Sequence, residues 1–128
     1  MNDRRTEHEM LRQSMARYVA IMDKAGGPDH TSLIHERVVF SRLFAAHLLR
    51  EHEEVTALGH ADPQFRGQIR HRSESLAGLR ADYSAHVNRW TPTSIRADFG
   101  EYRARVLVLQ KRLASFMLWE EANLPIYA

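Results

Sequence analysis

The sequence predicts an all-α protein, an up-down-up-down antiparallel four-helix bundle forming a single domain over residues 1–128. Three observations carry this reading. Apolar residues recur at spacings of three and four along four long segments, the pattern of a helix with one buried face. Three clusters of turn residues separate those segments. Between the clusters there is no period-two alternation and little enrichment in β-branched residues, so nothing reads as a strand.

The first segment carries Leu11, Met15, Tyr18, Val19 and Met22, and ends at Ala25-Gly26-Gly27-Pro28-Asp29, a run of helix breakers. The second carries Phe40, Phe44, Leu48, Val55 and Leu58. It ends at Gly59-His60-Ala61-Asp62-Pro63, where Asp62 is placed to cap a helix whose first turn takes Pro63. The third carries Ile69, Leu76, Leu79, Tyr83, Val87 and Trp90, and ends at Trp90-Thr91-Pro92-Thr93-Ser94. Asp98-Phe99-Gly100-Glu101 has the spacing of a capping box, which starts the last long helix near Phe99 after a short helical turn. That helix carries Tyr102, Val106, Leu109, Leu113, Phe116 and Leu124. Short turns between long helices make sequence neighbours antiparallel.

A chain of 128 residues can bury a core without covalent staples. It has no cysteine, which excludes disulfides, thiolate metal sites and thiol catalysis. No run approaches the roughly 18 apolar residues of a membrane span, and the N-terminal residues lack the apolar core of a signal peptide. A soluble, cytoplasmic protein is expected. The net charge is only +2, and arginine outnumbers lysine sixteen to two. Arg66, Arg70, His71, Arg72 and Arg80 cluster in one segment, but Glu74 and Asp82 interrupt them and no aromatic residues interleave. The run reads as a solvated helix face rather than a nucleic-acid surface.

Bundles build sites from side chains that project inward from facing helices, so ionisable residues on the apolar stripes matter most. His47 follows Phe44 by three residues, and Glu51 lies four after His47 and four before Val55. His8 lies three before Leu11; Glu120 lies four after Phe116 and four before Leu124. None of these can be buried cheaply without a partner. In alternating helices all four fall in the same half of the bundle. Imidazole and carboxylate donors of this kind suit iron, zinc or manganese rather than calcium or copper(I). The plainer reading makes His47 and Glu51 a hydrogen-bonded pair one turn apart, leaves Glu120 and Glu121 solvated, and half-exposes His8.

The remaining histidines are weaker candidates. His30 and His60 sit in turns and are expected to be exposed. His35 and His52 flank the second stripe, His71 lies off the third, and His86 reads as a packing residue. Trp119 is expected to be exposed beside the Phe116 stripe, or to pack against the chain end. No Ser-His-Asp spacing, glycine-rich phosphate loop or zinc-binding motif is present.

With those residues laid out, the chain resembles the bacterial hemerythrin-like (HHE cation-binding) domains from about Glu7 to Tyr127. Glu7-His8-Glu9 is similar to the first-helix histidine motif, and His47-Leu48-Leu49-Arg50-Glu51 to the second-helix His-x-x-x-Glu pair. Tyr83 through Trp90, with Ile95 and Asp98, resembles one subgroup, and Glu120-Glu121 followed by Leu124-Pro125 resembles the terminal motif. Three departures stand out. His71 is followed by Ser75 where the family's third helix has His-x-x-x-His, Phe116 replaces the fourth-helix histidine, and the Leu-Phe-Pro or Leu-Tyr-Pro that often follows the second-helix glutamate is absent.

The resemblance therefore implies one metal ion at His8, His47, Glu51 and Glu120, iron ahead of zinc and manganese, and not a full diiron centre. It implies a non-catalytic sensor or regulatory protein with a reduced or vestigial metal site and a protein partner. Two alternatives stand beside it. One is a metal-dependent oxidative or hydrolytic enzyme with an open coordination position. The other is a histidine phosphotransfer bundle using His71, although the lysine and glycine pattern of such domains is missing.

Overall fold

The structure, a computed structural model, describes residues 3–128. It is all-helical, with no strand among the described residues. Five α-helices follow in order: α1 (Asp3–Met22), α2 (His30–Ala61), α3 (Arg66–Arg89), α4 (Pro92–Ala97) and α5 (Phe99–Asn123). Short 3₁₀ turns span Pro63–Phe65 and Pro125–Tyr127. The four predicted segments are α1, α2, α3 and α5, and α4 is the short helical turn expected before Phe99.

The connections follow local chemistry. Gly26 and Gly27 take φ values of 87° and 102°, a region closed to most side chains and open to glycine. Asp29 caps α2, its carboxylate accepting the Thr31 and Ser32 amides at 3.0 and 3.4 Å. Two predicted caps do not form. Asp62 makes no side-chain cap bond, and its carboxylate instead accepts from Gln64 Nε2 at 2.8 Å, because Pro63 opens a 3₁₀ turn rather than α3 itself. The capping box at Asp98 is also unmade. There Glu101 turns outward to Arg105 Nε at 2.9 Å, while the main chain runs from α4 into α5 through Asp98 N–H to Ser94 O and Tyr102 N–H to Asp98 O.

α1 packs mainly on α2, α3 on α5, and α1 also touches α5. One apolar cluster joins the end of α1 (Tyr18, Met22), the start of α2 (Leu33), Trp90 after α3, Ile95 of α4 and the start of α5 (Tyr102, Val106). A middle cluster holds Leu11, Met15, Phe44, Leu76, Leu79, Leu113, Phe116 and Met117. A small third cluster of Val55, Leu124 and Tyr127 closes the other end. A cavity of ≈ 80 Å³ lies beside the middle of the core, lined by Met15, Phe44, Leu79, Tyr83 and Leu113 among others.

Several stripe positions differ from expectation. Val87 is 38% exposed, whereas His86 turns inward and stacks on Tyr102 with ring centroids 5.4 Å apart. Arg37 ties off this end of α3 by donating to the Trp90 and Val87 carbonyls at 2.9 and 3.2 Å. Trp119 is half-buried rather than exposed, packed against His71 at 4.5 Å and beside the third cluster. His30 is half-buried edge-on to Phe99, while His35, His52 and His60 are exposed. Among the described residues, no helix is long and apolar enough to cross a membrane.

Candidate metal centre

The four residues singled out by the stripes meet. His8 lies near the start of α1, His47 and Glu51 one turn apart on α2, and Glu120 in the last turn of α5. All are buried, with exposures of 0%, 2%, 0% and 1%. His8 thus faces the interior, and neither it nor Glu120 is solvated. One donor atom from each of the four lies within 4.8 Å of the others. Metal–donor bonds of about 2.1 Å place adjacent donors about 3.0–3.4 Å apart and opposite donors about 4.2 Å apart. Here His8 Nε2 stands 3.3 Å from Glu120 Oε1 and 3.9 Å from Glu51 Oε2, and His47 Nε2 stands 3.2 Å from Glu51 Oε2. The group could hold a metal ion after a contraction of roughly half an ångström across its widest pair.

Both imidazoles are aimed by carboxylates on their outer side. His8 Nδ1 donates to Glu121 Oε2 at 2.6 Å, and Arg12 Nη2 holds the same oxygen at 2.6 Å. His47 Nδ1 donates to Glu7 Oε1 at 2.6 Å, and Glu7 is held in turn by Arg50 and Arg4. A carboxylate only accepts, so each Nδ1 carries a proton and each Nε2 faces the cluster. This is how metal-ligating histidines are oriented and made more basic. Neither Glu7 nor Glu121 was singled out for this role from sequence, although each adjoins a ligand candidate.

Burial lowers the His8 pKa to about 4, outweighing the Glu121 hydrogen bond, so the ring is neutral at pH 7. Burial alone would also raise Glu121, but its bonds from His8 and Arg12 hold it below the ordinary carboxylate range. Glu51 and Glu120 act as a pair. Burial, and then the adjacent Glu51 carboxylate, push Glu120 up to about 10. Burial works against Glu51 as well, but His47, Glu120, Arg72 and Tyr127 together hold it below its usual value. Without a metal, the pair therefore carries one proton and one negative charge.

Two further residues enter the cluster. Arg72, read from sequence as part of a solvated basic face, is 3% exposed. Its Nε donates to Glu51 Oε1 at 2.8 Å and to Glu120 Oε2 at 3.2 Å, and its Nη2 lies 2.6 Å from Glu51 Oε1. The signal was present: Ile69, Arg72, Leu76 and Leu79 have helical spacing, and Arg72 falls on the stripe. Its burial also removes the centre of the basic run. Tyr127 is wholly buried. Its hydroxyl donates to Glu51 Oε2 and stands 2.8 Å from His8 Nε2 and 3.4 Å from His47 Nε2. Its ring stacks on His8 with centroids 4.5 Å apart.

His71 takes no part. It is exposed, tilted against Trp119 with ring centroids 4.5 Å apart and 3.5 Å from Ser75 Oγ. Phe116 is buried in the middle apolar cluster, one turn below Glu120. No protein-family model matches the chain, and no curated protein or solved structure matches it.

Proposed function

We propose that the protein is a non-catalytic sensor or regulatory protein of hemerythrin-like type, an up-down-up-down four-helix bundle holding a single metal ion at His8, His47, Glu51 and Glu120. The observation that carries this reading is the pair of inward Nε2 atoms, each set by a carboxylate on Nδ1, facing two buried carboxylates. Hydrogen bonds alone do not call for that arrangement, and a transition metal does. Support for the bundle comes from the cluster itself, where the starts of α1 and α3 meet the ends of α2 and α5.

Two nitrogen and two oxygen donors suit iron, zinc or manganese, and the hemerythrin-like resemblance puts iron first. Arg72 stands beside both carboxylates, and its fixed positive charge disfavours a second cation at that spot, so one ion is the expected load. The donors are 2% exposed or less, which keeps a large substrate out. That favours sensing over hydrolysis. A protein partner would read the response from the helix exteriors, where Leu49 and Leu118 are exposed.

The test is elemental analysis of protein purified without a histidine tag, before and after reconstitution with ferrous iron. The expected result is a single metal ion per chain, lost in His47→Ala. At free metal 100-fold above its dissociation constant, loading should stabilise the wild-type fold by about 2.7 kcal/mol and leave His47→Ala unchanged. Equal metal content in the two proteins would sink the assignment.

A further inference from the structure

We infer that Tyr127 is a fifth ligand, coordinating the metal through its phenolate oxygen. The inference rests on the single-ion site proposed above and adds a donor from outside the helices. Its first support is distance. Tyr127 Oη stands 2.8 Å from His8 Nε2 and 3.4 Å from His47 Nε2, and it also contacts Glu51 Oε2. Spacings of about 3.0–3.4 Å are the edges of a coordination polyhedron with bonds of about 2.1 Å. The His47 spacing falls in that range and the His8 spacing is slightly shorter, so a small outward shift would set the hydroxyl to the imidazoles as one ligand stands to its neighbours.

The second support is how firmly the residue is placed. Pro125 starts a 3₁₀ turn after α5, with the Tyr127 amide donating to Leu124 O at 3.0 Å. Arg5 Nε of α1 donates to the Tyr127 carbonyl at 2.5 Å. The ring lies against His8, and Val55 and Leu124 complete its apolar surroundings. An aromatic serving only as packing has no need to direct its polar atom at three donor atoms.

The third support is charge. Once the proton shared by Glu51 and Glu120 is released, two carboxylates against the Arg72 guanidinium leave one negative charge in the buried cluster. A divalent ion converts that to one positive charge, and a ferric ion to two. Net charge in such a site is costly. A phenolate cancels it for a divalent ion and halves it for ferric iron. In the binding step the metal–Oη and metal–carboxylate bonds form, the phenolic O–H and the O–H of the Glu51–Glu120 pair break, and both protons leave to solvent.

Phenolate bound to ferric iron gives a visible charge-transfer band, and excitation into that band enhances the ring modes of the coordinated tyrosine in resonance Raman spectra. The experiment loads the full chain with ferric nitrilotriacetate, removes excess iron, and records iron content, absorption and Raman spectra. Expected are bound iron, the band and the ring modes in the wild type, and all three in Tyr18→Phe, which alters the remote aromatic cluster. Tyr127→Phe should keep bound iron and lose both band and ring modes. Iron bound to the wild type without the band, or a band that survives in Tyr127→Phe, overturns the ligation and leaves the four-residue site standing. Failure of the wild type to bind any metal overturns both. Should Tyr127→Phe not fold, the wild-type Raman spectrum alone decides, since ring modes either appear or do not.

Discussion

Where α1 finishes and α5 begins, the innermost polar groups are neutral and serve each other: the Tyr18 and Tyr102 hydroxyls share a hydrogen bond among Met22, Leu33, Trp90 and Ile95, and the buried carboxylate nearby, Glu36, is held by Ser14 Oγ at 2.9 Å and Arg17 Nε at 3.1 Å. Burial raises the pKa of both phenols, so they remain protonated. Where α1 begins and α5 finishes, the buried charged and titratable groups include two histidines, His8 and His47, two glutamates, Glu51 and Glu120, and two arginines, Arg4 and Arg72. A second set of charged residues, Glu7, Glu121, Arg12 and Arg50, holds the histidines from outside. A neutral pair can be replaced by apolar groups of the same shape at little cost, whereas a charged set fails when any member is removed. The first end rests on a pair that apolar groups could replace, the second on charges that must balance one another.

The sharpest way to break this comparison is Arg72→Met in metal-free protein. It leaves the Glu51 charge buried and uncompensated, and urea unfolding should show a loss of about 3–5 kcal/mol. Saturating zinc should recover most of that loss, because the ion supplies the missing positive charge. An equal loss with and without zinc would make Arg72 a packing residue.

The neutral end should respond more mildly. Tyr18→Phe or Tyr102→Phe alone strands one phenol and should cost about 1–3 kcal/mol. The double variant should be closer to wild type than the two losses added together. Strict additivity in that double-mutant cycle would show that the hydroxyl pair does not act as a unit. None of these values should depend on metal.

The smallest expected effect is a pH dependence that divides between the two ends. Burial, and then the Arg37 charge, hold His86 at about 4 against an ordinary 6.5, and His8 is held at about 4 at the other end. Each folded pKa lies below the unfolded one. The stability each contributes is therefore complete above pH 6.5 and is lost as the pH falls toward 4. His86→Gln should remove part of the drop in melting temperature over that window, equally in metal-free and zinc-loaded protein. The part that remains should steepen with zinc, since protons then compete with the metal for His8. A profile unchanged by His86→Gln would mean that this ring is not held neutral by its burial.

The four donor residues were legible because each sits three or four residues from an apolar neighbour on its own helix. Arg72 met the same criterion between Ile69 and Leu76, but the arginines around it disguised it as surface. Tyr127 met none: after Pro125 no helical period links it to α5, and only the 3₁₀ turn and the Arg5 bond bring it inward. The expected caps at Asp62 and Asp98 failed for a related reason, since correct spacing does not ensure that the backbone adopts a cap.

The sequence by itself determined the helical class, the breaks between helices and the inward placing of His8, His47, Glu51 and Glu120, because helical periodicity is a local property that neighbouring residues express together. Tertiary structure alone decided what those side chains meet. The bonds from Tyr127 to His8 and from Glu121 to His8 join residues 119 and 113 positions apart. Whether a buried charge is balanced by a proton, a guanidinium or a metal depends on every group within a few ångströms, and those groups come from four separate stretches of chain.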